Sequence, residues 1–389
     1  MKSLKNKVLA SALAFTLIGG AFAINPNVAE AAGKPLNIKK VLNLPAEGVT
    51  TPAETFTFKF AGHSINNDET KANDVPKVND VTISYATTDK DDNDGTKDGK
   101  QLIKESSDAL ANVNWTASGQ YTYTVTEETP GVTTDGMTYS KASYKVSVFV
   151  GKTADGTGFE VTNIQIVKLT DDEGEPATDS KQEYQPGDET DPTKDKNKFA
   201  FENNYDKKDG NDNPGGGSDI TDDDKKGFAL KKTVDDGSND EFKFKLTVNK
   251  PVGSHSKDDT FTYKIVNKEG KAGDEQSGKY GTPVENIVLK HNERLVFGKV
   301  LLGSEVKVEE TESGKYTGKV SSSSFNGTTG ESDNGIIGDQ GGNFVEFLNE
   351  TQTATGLLVD NLPFIVLVAV AGAGIAFFVK NREEEEALA

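Results

Sequence analysis

In short run after short run of this 389-residue chain every second residue is apolar. A period of two puts those residues on one face only if each run is a β-strand. The first run is Leu36, Ile38, Lys40 and Leu42, with Asn37, Lys39 and Val41 on its other face. Further runs follow at Phe56, Phe58 and Phe60, at Val81, Ile83 and Tyr85, at Tyr121, Tyr123, Val125 and Glu127, at Tyr144, Val146, Val148 and Val150, and from Phe159 to Val167. The series closes with Phe199, Phe201 and Asn203, then starts again with Phe228, Leu230, Lys232 and Val234. It continues through Phe242 to Val248, through Phe261, Tyr263 and Ile265, then Leu295 and Phe297, then Val306, Val308 and Glu310, and ends at Val345, Phe347 and Asn349. Turns rich in Gly, Asp and Asn separate the strands, so the pattern predicts an all-β fold of two tandem sandwiches. Between the two ends of the chain, only Gln101 to Leu110 reads as a short helix.

Both series carry the same three interruptions on their apolar face. The first strand has a lysine there, Lys40 or Lys232; a late strand has a glutamate, Glu127 or Glu310; and the last strand has an asparagine, Asn203 or Asn349. The neighbours Lys39, Glu128, Asn204, Lys231 and Glu309 are one residue out of register, and a one-residue slip turns a side chain outward. A lysine held away from water tends to give up its proton, and a buried carboxyl tends to keep one. A neutral amine held against a carboxamide, with an acid beside both, can displace ammonia and form a Lys–Asn isopeptide bond. Lys40 and Lys232 are the expected nucleophiles, Asn203 and Asn349 the electrophiles, and Glu127 and Glu310 the acid/base groups, with the acid donating to the carboxamide oxygen. On the loop-entropy treatment used for disulfides, staples closing loops this long are worth about 4 to 5 kcal/mol. The alternative is that each lysine snorkels from a strand end while each glutamate is solvated and each asparagine caps a turn.

The chain has no cysteine and a net charge of −19. Exported domains commonly use disulfides, so a covalent staple of another kind gains weight here. The acidic balance argues against nucleic acid as a partner. His63, His255 and His291 lie far apart, and the acidic run from Asp89 to Gly95 lacks the carboxylates of a calcium loop. No metal, cofactor or turnover chemistry is expected. Trp115 is expected to pack in the first core.

The two ends read as export and anchoring signals. Lys2, Lys5 and Lys7 precede an apolar run from Val8 to Ala23 and small-residue sites at Ala21 to Ala23 and Ala29 to Ala31, the layout of a signal peptide over residues 1–31. Residues 362–379 are 18 residues without a charge; as a helix they span roughly 27 Å, enough to cross a bilayer core. The order Gln352-Thr353-Ala354-Thr355-Gly356, apolar span, Lys380-Asn381-Arg382 resembles the cell-wall sorting signal of Gram-positive surface proteins. That resemblance implies cleavage by a sortase between Thr355 and Gly356. The resulting divisions are a first domain over 32–205, a hydrated linker over 206–226 with Gly215-Gly216-Gly217-Ser218, a second domain over 227–350, and the sorting signal over 351–389.

The strings Leu36-Asn37-Ile38-Lys39-Lys40, Tyr121 to Glu127 and Phe201-Glu202-Asn203, with their counterparts in the second series, resemble streptococcal-type backbone pilins with intramolecular isopeptide bonds. The resemblance implies two immunoglobulin-like domains related to the Cna B-type fold. It also implies polymerisation by a sortase that joins the threonine of one subunit to a lysine of the next, and final attachment to peptidoglycan outside the cell. Lys196 matches the acceptor position best, with Lys194 and Lys198 close by. A host surface ligand is a further candidate partner, and an anchored adhesin that is never polymerised is the competing expectation.

Overall fold

The computed structural model describes residues 33–89, 99–178, 181–185 and 197–351. The signal peptide, the Asp89–Gly95 loop beyond its first residue, Lys194, Lys196, Thr355, Gly356 and the 362–379 span lie outside the described residues. Among the described residues no helix is long and apolar enough to cross a membrane.

The described residues are all-β apart from one short 3-10 turn, as their period predicts. The strands up to residue 205 are β1 (Lys39–Leu44), β2 (Glu54–Ile65), β3 (Val81–Tyr85), β4 (Lys100–Glu105), β5 (Gly119–Glu128), β6 (Met137–Thr138), β7 (Ser143–Lys152), β8 (Phe159–Thr170), β9 (Gln182–Glu183) and β10 (Ala200–Tyr205). They form a six-stranded sheet ordered β3-β2-β5-β7-β8-β9 and a four-stranded sheet ordered β4-β1-β10-β6. The inward residues of both sheets, among them Ile38, Leu42, Phe56, Phe58, Tyr123, Val125, Tyr144, Val146 and Phe201, form the core between them. Trp115 sits at the edge of that core, half-buried, with its ring 5.0 Å from Tyr121.

The remaining strands are β11 (Lys208–Asp209), β12 (Ala229–Val234), β13 (Phe242–Asn249), β14 (Thr260–Val266), β15 (Gln276–Lys279), β16 (Val284–Leu289), β17 (Arg294–Leu301), β18 (Glu305–Glu312), β19 (Tyr316–Phe325), β20 (Thr328–Gly330), β21 (Asn334–Ile336) and β22 (Phe344–Thr351). One sheet runs β15-β14-β17-β12-β22-β19-β20 with β11 added to β17, and faces a second sheet, β16-β13-β18-β21. The repeat extends to pairing. In each sandwich the strand that carries the lysine lies parallel to the last, β1 to β10 and β12 to β22.

Two expectations fail. Gln101 to Leu110 is not a helix: its first half is β4, paired antiparallel to β1, with Leu102 opposite Leu42 and buried in the core. Cross-strand pairing and the burial of one leucine outweigh local helix propensity here. The only helix among the described residues outside this region is a short 3-10 turn at Glu69–Asp74.

The segment 206–226 is not a free hydrated linker. Lys208 and Asp209 pair with Leu301 and Val300, and Ile220 packs with Ala229, Val266 and Val296 on the outer face of the second sandwich. Asp224 is fully buried against Arg294, whose Nε donates to Asp224 Oδ2 at 2.9 Å. The rest of the guanidinium donates to the carbonyls of Gly217 and Gly215 at 2.5 and 2.6 Å. A single planar fork thus satisfies two glycine carbonyls and a carboxylate that composition alone assigns to water.

Candidate functional site

Lys40 opposes Phe201 across the parallel pair β1·β10, and Asn203 opposes Leu42, two residues further on and on the same face. Lys232 opposes Phe347 and Asn349 opposes Val234, the same offset in the second sandwich. The glutamates come from the facing sheets. Glu127 lies opposite Phe58 in β2·β5, and Glu310 opposite Phe244 in β13·β18. Lysine and asparagine therefore reach the glutamate across the width of the core.

In the first sandwich Lys40 Nζ donates to Glu127 Oε2 at 2.8 Å, and Asn203 Nδ2 donates to Glu127 Oε1 at 2.6 Å. The side chains of Lys40 and Glu127 are both 0% exposed, and Asn203 is equally buried. Lys40 Nζ also reaches the Phe201 carbonyl at 3.4 Å and lies 4.5 Å from the centre of the Phe56 ring. Burial lowers the Lys40 amine to about 8, against the pull of Glu127, and burial raises the Glu127 carboxyl. The two groups move toward each other, which eases transfer of the ammonium proton to the carboxylate.

The second sandwich repeats the arrangement with looser contacts. Asn349 Nδ2 donates to Glu310 Oε1 at 2.8 Å, and Lys232 Nζ lies 3.2 Å from the same oxygen. That approach is an ion pair without hydrogen-bond angles, and Lys232 Nζ has no hydrogen-bond acceptor. Its ring neighbours are Phe242 at 4.4 Å and Phe244 at 5.9 Å, the counterparts of Phe56 and Phe58. Burial lowers this amine to about 8 as well. The carboxylate borders an open cavity of about 840 Å³ lined in part by Gly318, Val320 and Phe347.

All six residues singled out by register are thus brought together, three to a sandwich, and none snorkels to water. One expectation is reversed. The acid was expected to face the carboxamide oxygen, whereas in both sites the carboxamide nitrogen faces the carboxylate. In the first site the reason is Ser140, whose backbone N–H donates to Asn203 Oδ1 at 2.7 Å and so claims the oxygen. Lys198 is exposed, next to the buried Asn197.

Sequence reasoning missed Ser140, Gly318 and the ring faces under the lysines. An added Cβ at Gly318 would collide with Glu310 Oε2 and lie 2.9 Å from Asn349 Oδ1. The paired Phe56-Thr57-Phe58 and Phe242-Lys243-Phe244 were the one available signal for the rings.

Comparison with known proteins bears on the first sandwich directly. Residues 36–206 match the family described as the Spy0128-like isopeptide containing domain. The first sandwich is thus similar to the Spy0128-like isopeptide containing domain. That match supports the resemblance to Gram-positive backbone pilins drawn from the sequence. Residues 226–351 match a domain of unknown function (DUF7601), so in the second sandwich the repeated geometry stands by itself. No curated protein matches the chain. Among solved structures, the major pilin T3.2 of Streptococcus pyogenes is 22% identical, with 82% of this chain and 99% of that one covered and a TM-score of 0.35. The S. pyogenes major pilin T-13 is 16% identical over 82% and 98% of the two chains, with a TM-score of 0.32. The pilus-presented adhesin Cpa is 12% identical over 82% and 100%, with a TM-score of 0.25. The TM-scores are low, and the domain match carries the assignment.

Proposed function

We propose that this chain is a backbone subunit of a sortase-assembled pilus on a Gram-positive cell surface. Each sandwich is stapled by a self-formed isopeptide bond, Lys40–Asn203 and Lys232–Asn349, with Glu127 and Glu310 moving the protons. The observation that carries the reading is the repetition. The same three groups sit at the same strand offsets, across the same two layers, with a phenylalanine face under each lysine. A buried lysine, glutamate and asparagine in one apolar core are costly to keep as separate groups, since each must be desolvated. Joining amine to carboxamide removes the lysine charge, and the ammonium proton left on the glutamate removes the other. Because each bond forms once, the chain is a structural protein rather than a turnover enzyme.

On this reading residues 1–31 are removed on export. A sortase then acts between Thr355 and Gly356 and passes Thr355 to a lysine of the neighbouring subunit, Lys196 being the best-placed candidate by sequence. The last subunit is attached to peptidoglycan.

Intact mass of the ectodomain tests the staples. The protein should fall short of its encoded mass by two ammonia, and Glu127→Ala or Glu310→Ala should each restore one. A full encoded mass in the parent would end the isopeptide reading. Wall extracts test assembly separately: a ladder of covalent multimers is expected, and a single band would make the chain an anchored adhesin.

A further inference from the structure

The two sites differ at the carboxamide oxygen. Asn203 Oδ1 accepts the Ser140 N–H at 2.7 Å, whereas Asn349 Oδ1 has no hydrogen-bond partner among the described residues. A backbone N–H can only donate, so this contact fixes which way the Asn203 carboxamide lies. Its oxygen faces Ser140 and its nitrogen faces Glu127. When an amine attacks the carboxamide carbon, charge develops on the oxygen, which needs a donor; the nitrogen must leave protonated, and needs an acid. Ser140 meets the first need and Glu127 the second.

Ser140 is itself anchored. Its Oγ donates to Asp172 Oδ1 at 2.6 Å and accepts from the Ala142 N–H at 3.1 Å. The same Asp172 oxygen accepts the Glu202 N–H at 2.8 Å, while Asp172 Oδ2 takes Lys168 Nζ at 3.0 Å. Asp172 therefore ties the turn that carries Ser140 to the residue immediately before Asn203. In the second sandwich the strand neighbour of Asn349 is Gly318, which leaves space for the carboxylate but supplies no donor to Oδ1.

We propose that the Ser140 N–H is the oxyanion donor for the reaction of Lys40 with Asn203, that Asp172 is the positioning residue holding it there, and that the second site reacts without such a donor. The proposal rests on the isopeptide chemistry just proposed. Lys40 Nζ forms a bond to Asn203 Cγ as the carbonyl π pair moves onto Oδ1 under the Ser140 N–H. Glu127, which already holds the ammonium proton given up by Lys40, passes it to Nδ2 and takes the excess proton of the attacking Nζ in exchange. The pair then returns, the Cγ–Nδ2 bond breaks, and Nδ2 leaves as ammonia. One amine and one carboxamide become one secondary amide and one ammonia.

Timed cell-free synthesis of the ectodomain, quenched in acid and read by intact mass, tests this, with circular dichroism reporting folding separately. In a Lys232→Ala background only the first site can react. There Asp172→Ala should slow ammonia loss at least tenfold, toward the ~10² to 10³ that one oxyanion donor is worth. Asp172→Asn keeps an acceptor oxygen for Ser140 and Glu202, and should restore most of the rate. In a Lys40→Ala background neither variant should alter the second bond. Equal rates for folded Asp172→Ala and its parent would overturn the donor assignment and leave the isopeptide reading standing. Equal slowing by Ala and Asn would overturn it too, because charge rather than anchoring would then act. Absence of ammonia loss in the parent would instead sink the underlying chemistry. Should Asp172→Ala fail to fold, Ser140→Ala cuts the same anchor from its other end while keeping the N–H, and its rate is read in the same way.

Discussion

A lysine without water must find a carboxylate or surrender its proton, and Lys40 stands between those outcomes. Its charge is met by Glu127 and by the face of Phe56, yet burial still draws its pKa from 10.5 to about 8. This has a measurable consequence once the electrophile is removed. In Asn203→Ala, Lys40 stays a free amine that binds its proton less well folded than unfolded. Between about pH 8 and 10.5 the unfolded chain then holds more protons, so stability must rise with pH across that window. Below pH 8 the full penalty applies, about 3 kcal/mol at 1.36 kcal/mol per unit. Urea denaturation of Asn203→Ala at stepped pH should show that rise, and the parent, whose Lys40 the proposed bond would turn into an amide, should lack it. A flat profile in the variant would mean that Lys40 is not the titrating group. Gly318 is the other sensitive point. Gly318→Ala drives a methyl into Glu310 Oε2 and Asn349 Oδ1, so its ectodomain should lack only one ammonia, with the first bond intact.

The elements explain why the triads could be found in sequence and why much around them could not. Period two is a property of each strand by itself, so the inward register of Lys40, Glu127 and Asn349 could be counted directly. β4 could not, because only Leu102 of its residues is fully buried and its identity comes from pairing with β1. Ser140 acts through its backbone, which no side-chain pattern reports. The strap of residues 206–226 carries one large apolar side chain, Ile220, among aspartates and glycines, and its composition is that of a solvated tether. Its attachment was signalled instead by Arg294, one of two arginines in a chain whose other cations are lysines. A lysine offers a point charge, whereas this position meets three acceptors spread around a plane. Arg294→Ala would bury Asp224 unpaired and should destabilise the second sandwich by about 3 to 5 kcal/mol. Thermal unfolding followed by calorimetry would register this, with Arg294→Lys close to the alanine value rather than to the parent.

At the scale of the molecule, the sandwiches meet through the loop that follows β1. Thr50 donates from its N–H and its hydroxyl to Asp339, at 3.0 and 2.7 Å, and the Asp339 N–H donates to the Gly48 carbonyl at 3.0 Å. The Ala46 N–H donates to Val252 O and the Leu302 N–H to Lys207 O, both at 2.9 Å. These contacts sit where the first sandwich hands the chain to the second. In single-molecule pulling from both termini, the parent should show no unfolding step from either sandwich, since each proposed staple would join the lysine strand to the last strand. The Glu127→Ala, Glu310→Ala double variant should show two. Steps in the parent would separate the staples from mechanical strength. The parallel run of those two strands has a geometric outcome of its own. Because both point the same way, the polypeptide comes in at one pole of each sandwich and departs at the opposite pole, so every module lengthens the molecule by its own height. Had the closing strand run the other way, both ends would emerge side by side, and a string of such units would zigzag instead of reaching outward.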